Sequence, residues 1–191
     1  MEYASSEFAL ANGKTCVIRR PEEADAERLL RSQKETSGET PYLVVTPEEI
    51  DWTVEEQAGR IRRWNAAPDK LRLIAEVDGA LAGAAIVCGA GAQNRLRHRC
   101  CVDITLYQRF CGMGIGTLLL KELLAAAKAA GYEQAELEVV STNAPAVGLY
   151  RKLGFETVGT IPHAMKYNDG SYADFLLMVR ALVGKAAEKF S

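Results

Sequence analysis

The sequence predicts a mixed α/β protein, a mostly antiparallel sheet of six or seven strands flanked by about four helices. Three observations carry that reading. The run LRLIAEVDGALAGAAIV places Asp78-Gly79 between two β-rich, apolar segments, a strong short-range hairpin signal. A strand-like run from Arg99 to Leu106 enters a bend with glycine at 112, 114 and 116, followed by a Leu/Ala/Lys/Glu stretch that reads as helix. Strand, helix, strand and helix then alternate, which requires a crossover connection in part of the sheet.

Taken in order, Lys14–Arg20 (KTCVIRR) alternates as a first strand. Pro21 with Glu22 and Glu23 reads as a helix start, proline early and acids in the first turn, and Ala24, Leu29 and Leu30 supply an apolar side that fades near Gly38. Thr46-Pro47-Glu48-Glu49 is a second capped start, so Thr46–Asn65 reads as one broken helix or two short ones. The Asp78-Gly79 hairpin follows, then a loop over Gly89–Arg95 and the strand Arg99–Leu106. Thr117–Ala130 is a helix closed by Gly131, where a C-terminal glycine belongs. Gln134–Val140 returns to strand, Asn143–Leu153 is a helix ended by Gly154, and Phe155–Ile161 with Tyr172–Leu182 close the chain as strands around Asn168-Asp169-Gly170. A single domain over 1–191 is expected, its core about 14–182, with fraying from Gly184 to Ser191.

Bulk composition excludes more than it assigns. Hydrophobic content of 48% and charged content of 25% are ordinary for a globular chain, and a net charge of -2 gives no support to nucleic acid or an anionic membrane as partner. The short basic run Arg95, Arg97, His98 and Arg99 reads as a solvated loop rather than an RNA contact. Five cysteines, no C-x-x-C pair and no signal-peptide pattern lead to an expectation of free thiols in a cytoplasmic protein. Cys100 and Cys101 point to opposite faces of a strand and only His98 and His163 are available, so no metal site is expected. No apolar run approaches membrane-spanning length.

The glycine bend carries the chemistry. Gly112, Gly114 and Gly116 permit φ > 0 and close approach of a ligand, and a helix starting there aims its unpaired N–H groups and positive dipole end into the loop. The combination is an anion cradle, most often for phosphate. It lacks the lysine of a Walker loop, and its spacing differs from G-x-G-x-x-G. A second stretch, Asn143 to Phe155, starts just after a strand. Asn143 either caps a helix or hydrogen-bonds a ligand lying along the strand edge, and Tyr150, about two turns on, either packs or donates its phenolic proton.

Together the two stretches resemble a known family. Arg109, Gly112 and Gly114 meet an Arg/Gln-x-x-Gly-x-Gly loop, and Asn143–Phe155 meets N-x-x-A-x-x-L-Y-x-K-x-G-F. The pair resembles the GCN5-related N-acetyltransferase (GNAT) superfamily from about Lys14 to Leu182. One departure is Cys111, where relatives often carry Arg, Gln or Lys. The resemblance implies a V-shaped splay between two central parallel strands, with acetyl-CoA as co-substrate lying in it. Its diphosphate would rest on the loop formed by Cys111, Gly112, Met113, Gly114, Ile115, Gly116 and Thr117, near Arg109. Its pantetheine arm would run beside Ile104, Thr105 and Leu106 toward Asn143.

The resemblance further implies direct acetyl transfer to a primary amine of a small molecule or peptide N-terminus, with Tyr150 as general acid. Glu138 is the leading base, with Asp103, His98, Asp174 or water as alternatives. An acceptor site built from the first two helices, the loop around Thr40–Glu49 and the Ile161–Tyr172 hairpin contains Glu39, Glu48, Glu49, Asp51, Asp169 and Asp174, which suggests a cationic amine. The tail IPHAMKYNDGSYADFLLM looks like relatives that acetylate ribosomal-protein N-termini, amino acids or small amines. A homodimer is a common state of such relatives. Two rival readings remain: a non-catalytic acetyl-CoA sensor of the same fold, and a protein binding another phosphate ligand such as a nucleotide.

Overall fold

In the computed structural model, which describes residues 1–183, eight strands form one sheet in the order β1-β2-β3-β4-β5-β6-β8-β7. The expected fraying from Gly184 lies outside the described residues. The strands are β1 (Ser6–Ala9), β2 (Thr15–Arg19), β3 (Lys70–Val77), β4 (Ala80–Gly89), β5 (Arg99–Leu106), β6 (Gln134–Val140), β7 (Glu156–Lys166) and β8 (Tyr172–Ala181). The helices are α1 (Ala26–Glu39), α2 (Val54–Ala66), α3 (Ile115–Ala129) and α4 (Ala144–Lys152), with 3-10 turns at Glu23–Asp25 and Pro47–Glu49. Every neighbouring strand pair is antiparallel except β5–β6. No helix among the described residues is long and apolar enough to cross a membrane.

Local chemistry sets the corners. Asp78 (φ 50°) and Gly79 (φ 80°) form the left-handed pair that a tight hairpin with right-handed twist requires. Helix α2 starts on a reciprocal cap, Glu56 N–H to Thr53 Oγ1 at 3.2 Å and Thr53 N–H to Glu56 Oε2 at 2.7 Å. Helix α4 stops at Gly154, with Phe155 N–H donating to Tyr150 O at 3.0 Å and Gly154 N–H to Arg151 O at 2.9 Å.

The sheet is covered on both faces. On one, Leu119, Leu120, Leu123 and Ala127 of α3 meet Leu71, Leu73, Ala85, Val87 and Val102, and Val147 and Tyr150 of α4 extend the same core. On the other, Ala26 and Leu29 of α1 and Ile61 of α2 meet Ile74 and Leu81. Alternation along β3 therefore sends Leu71, Leu73 and Ala75 to the first layer and Arg72 and Ile74 to the second.

A charge cluster fixes α1 to the sheet. Arg19 donates to Asp25 through Nη1 (2.8 Å) and Nη2 (2.9 Å) and to Glu76 through Nε (2.8 Å), while Arg28 Nε reaches Asp25 at 2.7 Å and its Nη2 pairs with Glu76. Burial raises the Asp25 carboxyl, but Arg19, the Glu22 N–H and Arg28 outweigh it and bring its pKa down to about 2. A depressed carboxylate stabilises the fold above its unfolded pKa, and that contribution is lost as pH falls through the folded value. Wild-type protein is expected to lose about 2 kcal/mol between pH ~4 and ~2 from this group. Melting temperatures across that range should show Asp25→Asn with a visibly shallower slope.

Candidate active site

Strands β5 and β6 run side by side only over Arg99↔Gln134, Cys100↔Ala135 and Cys101↔Glu136, and then part. Continuing the register would set Asp103 opposite Glu138. Both lie where the strands diverge, on the face toward α1 and α2. With β6 gone, the Ile104 N–H turns to the Asp103 carboxylate, Oδ1 at 2.7 Å, in place of a strand partner. Asp103 is reachable by solvent yet crowded by protein, and this burial pushes its carboxyl above the usual range against the lowering effect of that N–H.

The glycine bend lies at the wide end of the gap. Gly112 (φ 77°) and Gly114 (φ 84°) occupy the left-handed region, and a Cβ at either would project into open space. Helix α3 begins at Ile115, two residues earlier than Thr117, so Ile115, Gly116 and Thr117 form its first turn and the N-cap Gly114 offers no side chain. No described residue accepts a hydrogen bond from the backbone N–H of Gly112, Met113, Gly114, Ile115, Gly116 or Thr117. Six consecutive donors at a helix N-terminus fit a diphosphate. Gly116 serves packing instead. A Cβ there would come within 3.1 Å of Leu149 Cδ2 and 3.2 Å of Leu106 Cδ1, so its bareness lets α3 approach α4 and β5.

Tyr150 enters from the layer that α4 shares with α3, across the sheet from the face that carries Asp103. It is 5% exposed, and its ring packs edge-on to Phe155 with centroids 5.8 Å apart. Burial, then the negative charge of Asp103, raise its phenol above the usual value, and no described residue hydrogen-bonds its hydroxyl. Asn143 caps α4, its Oδ1 accepting from Ala146 N–H at 3.2 Å, and its amide nitrogen has no hydrogen-bond partner among the described residues.

Other candidates fall elsewhere. The Arg109 guanidinium stacks over Tyr107 (4.1 Å) and Phe110 (5.2 Å), beside Arg28 and Arg31. His98 precedes the first residue of β5, the strand's full eight-residue length, roughly 25 Å, from the bend. Asp174 Oδ1 accepts from His163 N–H at 2.8 Å and braces an irregularity in β7. Cys111 is exposed on the loop, its thiol pushed up by burial and by Glu39. Several of the acids expected to attract a cationic acceptor are engaged locally. Glu39 Oε2 accepts from Gln108 N–H at 2.8 Å, Glu49 caps Thr46 at 2.8 Å, and Asp169 holds Ser171 N–H at 2.9 Å.

Beside the gap is a pocket of about 100 Å³ that sequence reasoning missed, lined by Ser32, Gln33 and Thr36 of α1 with Arg72, Asp103 and Thr105 of the sheet. Arg72 pairs across to Ile86, and Ile86 to Asp103, so the arginine and the carboxylate sit in one cross-strand row. The only signal in sequence is an arginine at the second position of an otherwise apolar LRLIA run. Helix α1 also connects to the bend, since Tyr107 Oη donates to Glu35 Oε2 at 2.6 Å.

Comparison with known proteins places these features in a group. The sequence model of the Acetyltransferase (GNAT) family matches residues 37–155. An N-alpha-acetyltransferase of Sulfurisphaera tokodaii is 40% identical over 73 residues, 38% of this chain and 42% of that relative, so the chain spans less than half the length of this curated relative. A crystal structure of a GNAT-family acetyltransferase from Streptococcus pneumoniae superimposes with a TM-score of 0.81 at 29% identity, over 87% of this chain and 98% of that one. A phosphinothricin acetyltransferase from Sinorhizobium meliloti, solved in complex with AcCoA, has the same fold at a TM-score of 0.77 and 24% identity, covering 95% of this chain and 93% of that one.

Proposed function

The chain belongs to the Acetyltransferase (GNAT) family, and on that premise we propose that it is an acetyl-CoA-dependent N-acetyltransferase acting on a primary amine. The observation that carries the reading is the row of six unpartnered N–H groups from Gly112 to Thr117 at the open end of the β5–β6 gap. It is the electrostatic complement of a CoA diphosphate. When bound, acetyl-CoA supplies an acetyl group activated as a thioester. The Ile104 N–H at the parting of the strands donates to Asp103 Oδ1 in the unliganded site, and a rotation of that carboxylate would release it to polarise the acetyl carbonyl oxygen.

Proton handling falls to the two sides of the gap. The acceptor amine has to be neutral to attack, and Asp103 takes its proton directly or through water, its raised pKa making it a better base than an ordinary aspartate. Glu138, across the gap on β6, is the alternative proton acceptor. Tyr150 holds its own proton firmly while Asp103 is charged. Protonation of Asp103 removes that charge, so the phenol becomes a stronger acid as the sulfur departs and needs a proton. None of the five cysteines takes part.

The test is a thiol-release assay with acetyl-CoA against amino acids, polyamines, aminoglycosides and peptides, alongside calorimetry with acetyl-CoA and ATP. Acetyl-CoA binding with turnover of at least one amine class is expected. Binding without any turnover would leave a cofactor sensor, and preference for ATP would overturn the reading.

A further inference from the structure

Arg72 is an anomaly that the transfer chemistry does not use. Its side chain belongs to the buried set at 7% exposure, its Nη1 is enclosed without a partner, and no carboxylate among the described residues pairs with it. Around it lie the Trp64 ring, 5.0 Å from Cζ, and the like charge of Arg60. Burial followed by Arg60 pushes the guanidinium pKa down to about 10, so it stays charged at neutral pH. An uncompensated buried cation is costly, and native structures seldom keep one without a reason.

The contrast with the rest of the same layer is informative. Arg19 and Arg28, on the same side of the sheet, are paired with Asp25 and Glu76. Arg72 instead lines the pocket that Asp103 also lines, with Ser32 and Gln33 beside it. Gln33 is itself held by the fully buried Gln57, Nε2 to Oε1 at 3.3 Å. The pocket thus has a cation with unused donors on one side and a proton acceptor on the other, two strand spacings apart, roughly 10 Å between backbones.

We propose that Arg72 anchors the acceptor: the substrate is an amine with a carboxylate a few atoms away, as in a free amino acid, the carboxylate docking on the guanidinium while the amine faces Asp103 and the strand gap. This rests on the transferase reading above and narrows it, replacing the cationic acceptor suggested by sequence with a zwitterionic one. Planar, two-pronged recognition of a carboxylate is what a guanidinium provides and a lysine does not. The ligand neutralises the buried charge, so binding and specificity draw on the same interaction.

Matched pairs test it. L-Leucine with L-leucinamide and L-methionine with L-methioninamide differ in the carboxylate alone, and the carboxamides have the less basic, more available amine, so intrinsic reactivity favours them. The wild type is nevertheless expected to prefer the acids by about 10- to 100-fold in kcat/KM, the worth of a charge-assisted hydrogen-bonded pair, mostly through KM. Arg72→Met should abolish the preference without loss on the carboxamides, and Arg72→Lys should keep only part of it. Calorimetry should give both variants wild-type affinity for acetyl-CoA. Arg72→Met should also melt a few degrees higher, since an apolar replacement relieves the buried charge. Should no amine be turned over, amino-acid-induced stabilisation of the CoA-loaded wild type, absent in Arg72→Met, supports the anchor, and equal stabilisation of both overturns it. Loss of acetyl-CoA binding altogether would overturn the transferase reading. Intact acetyl-CoA binding with no preference for the acids, or a preference surviving in Arg72→Met, would overturn the anchor alone.

Discussion

Tyr150→Phe is expected to lower kcat by roughly 10²- to 10³-fold, the range of a lost general acid, with the dissociation constant for acetyl-CoA unchanged within about twofold. The substitution isolates one atom. The ring remains in the core against Phe155, and the hydroxyl has no described hydrogen-bond partner to abandon, so the fold loses little. That loss corresponds to about 3–4 kcal/mol of transition-state stabilisation. Stopped-flow or initial-rate measurements of thiol release, with calorimetry for acetyl-CoA, provide the check. An unchanged kcat would leave Tyr150 a packing residue.

The pH profile of the wild type adds an independent sign. Asp103 has to be ionised to accept a proton, and its pKa is raised, so activity should rise over a range above that of an exposed aspartate. The Tyr150 phenol is raised as well, so its ionisation should produce no falling limb at pH values up to about 10, where an ordinary tyrosine titrates. A decline well below that would point to a different acid.

Legibility in the sequence followed the range of the forces involved. Asp78-Gly79, Gly131 and Gly154 were readable because each solves a local backbone problem, and all sit in the left-handed region. Strand β1 was missed: Ser6–Ala9 is a four-residue edge strand that alternates between half-buried and exposed positions and takes its identity from pairing with β2. Strand β7 runs past Ile161 to Lys166 because its irregularity, with His163 at φ 52°, accommodates Pro162 on the outer edge where no ladder donor is needed. The site divided in the same way. The bend, Asn143 and Tyr150 form contiguous patterns, whereas Arg72 meets Asp103 only through register across three strands under a lid of α1. An arginine in a strand reads as solvent-facing until the covering helix is in place.

Gly114 tests the cradle most severely, through a pair of nearly isosteric replacements. At φ 84° a side chain is strained, but Asn and Asp tolerate the left-handed region better than other residues, and a Cβ here meets nothing within 4 Å. Gly114→Asn should therefore fold, with a moderate loss of acetyl-CoA affinity from backbone strain and partial obstruction. Gly114→Asp has almost the same shape and adds a negative charge among the unpartnered N–H groups of residues 112–117. A carboxylate there would itself occupy those donors and repel a diphosphate. Unit charges about 4 Å apart near a protein surface interact by about 4 kcal/mol, so the Asp variant should bind acetyl-CoA at least about 100-fold more weakly than the Asn variant. Raising salt should narrow that difference, because the variants differ in charge and not in fit. Titration calorimetry at two ionic strengths measures both effects. Equal affinities for Asn and Asp would mean that the diphosphate does not lie on this bend, and the roles given to Ile104 and Tyr150 would fall with it.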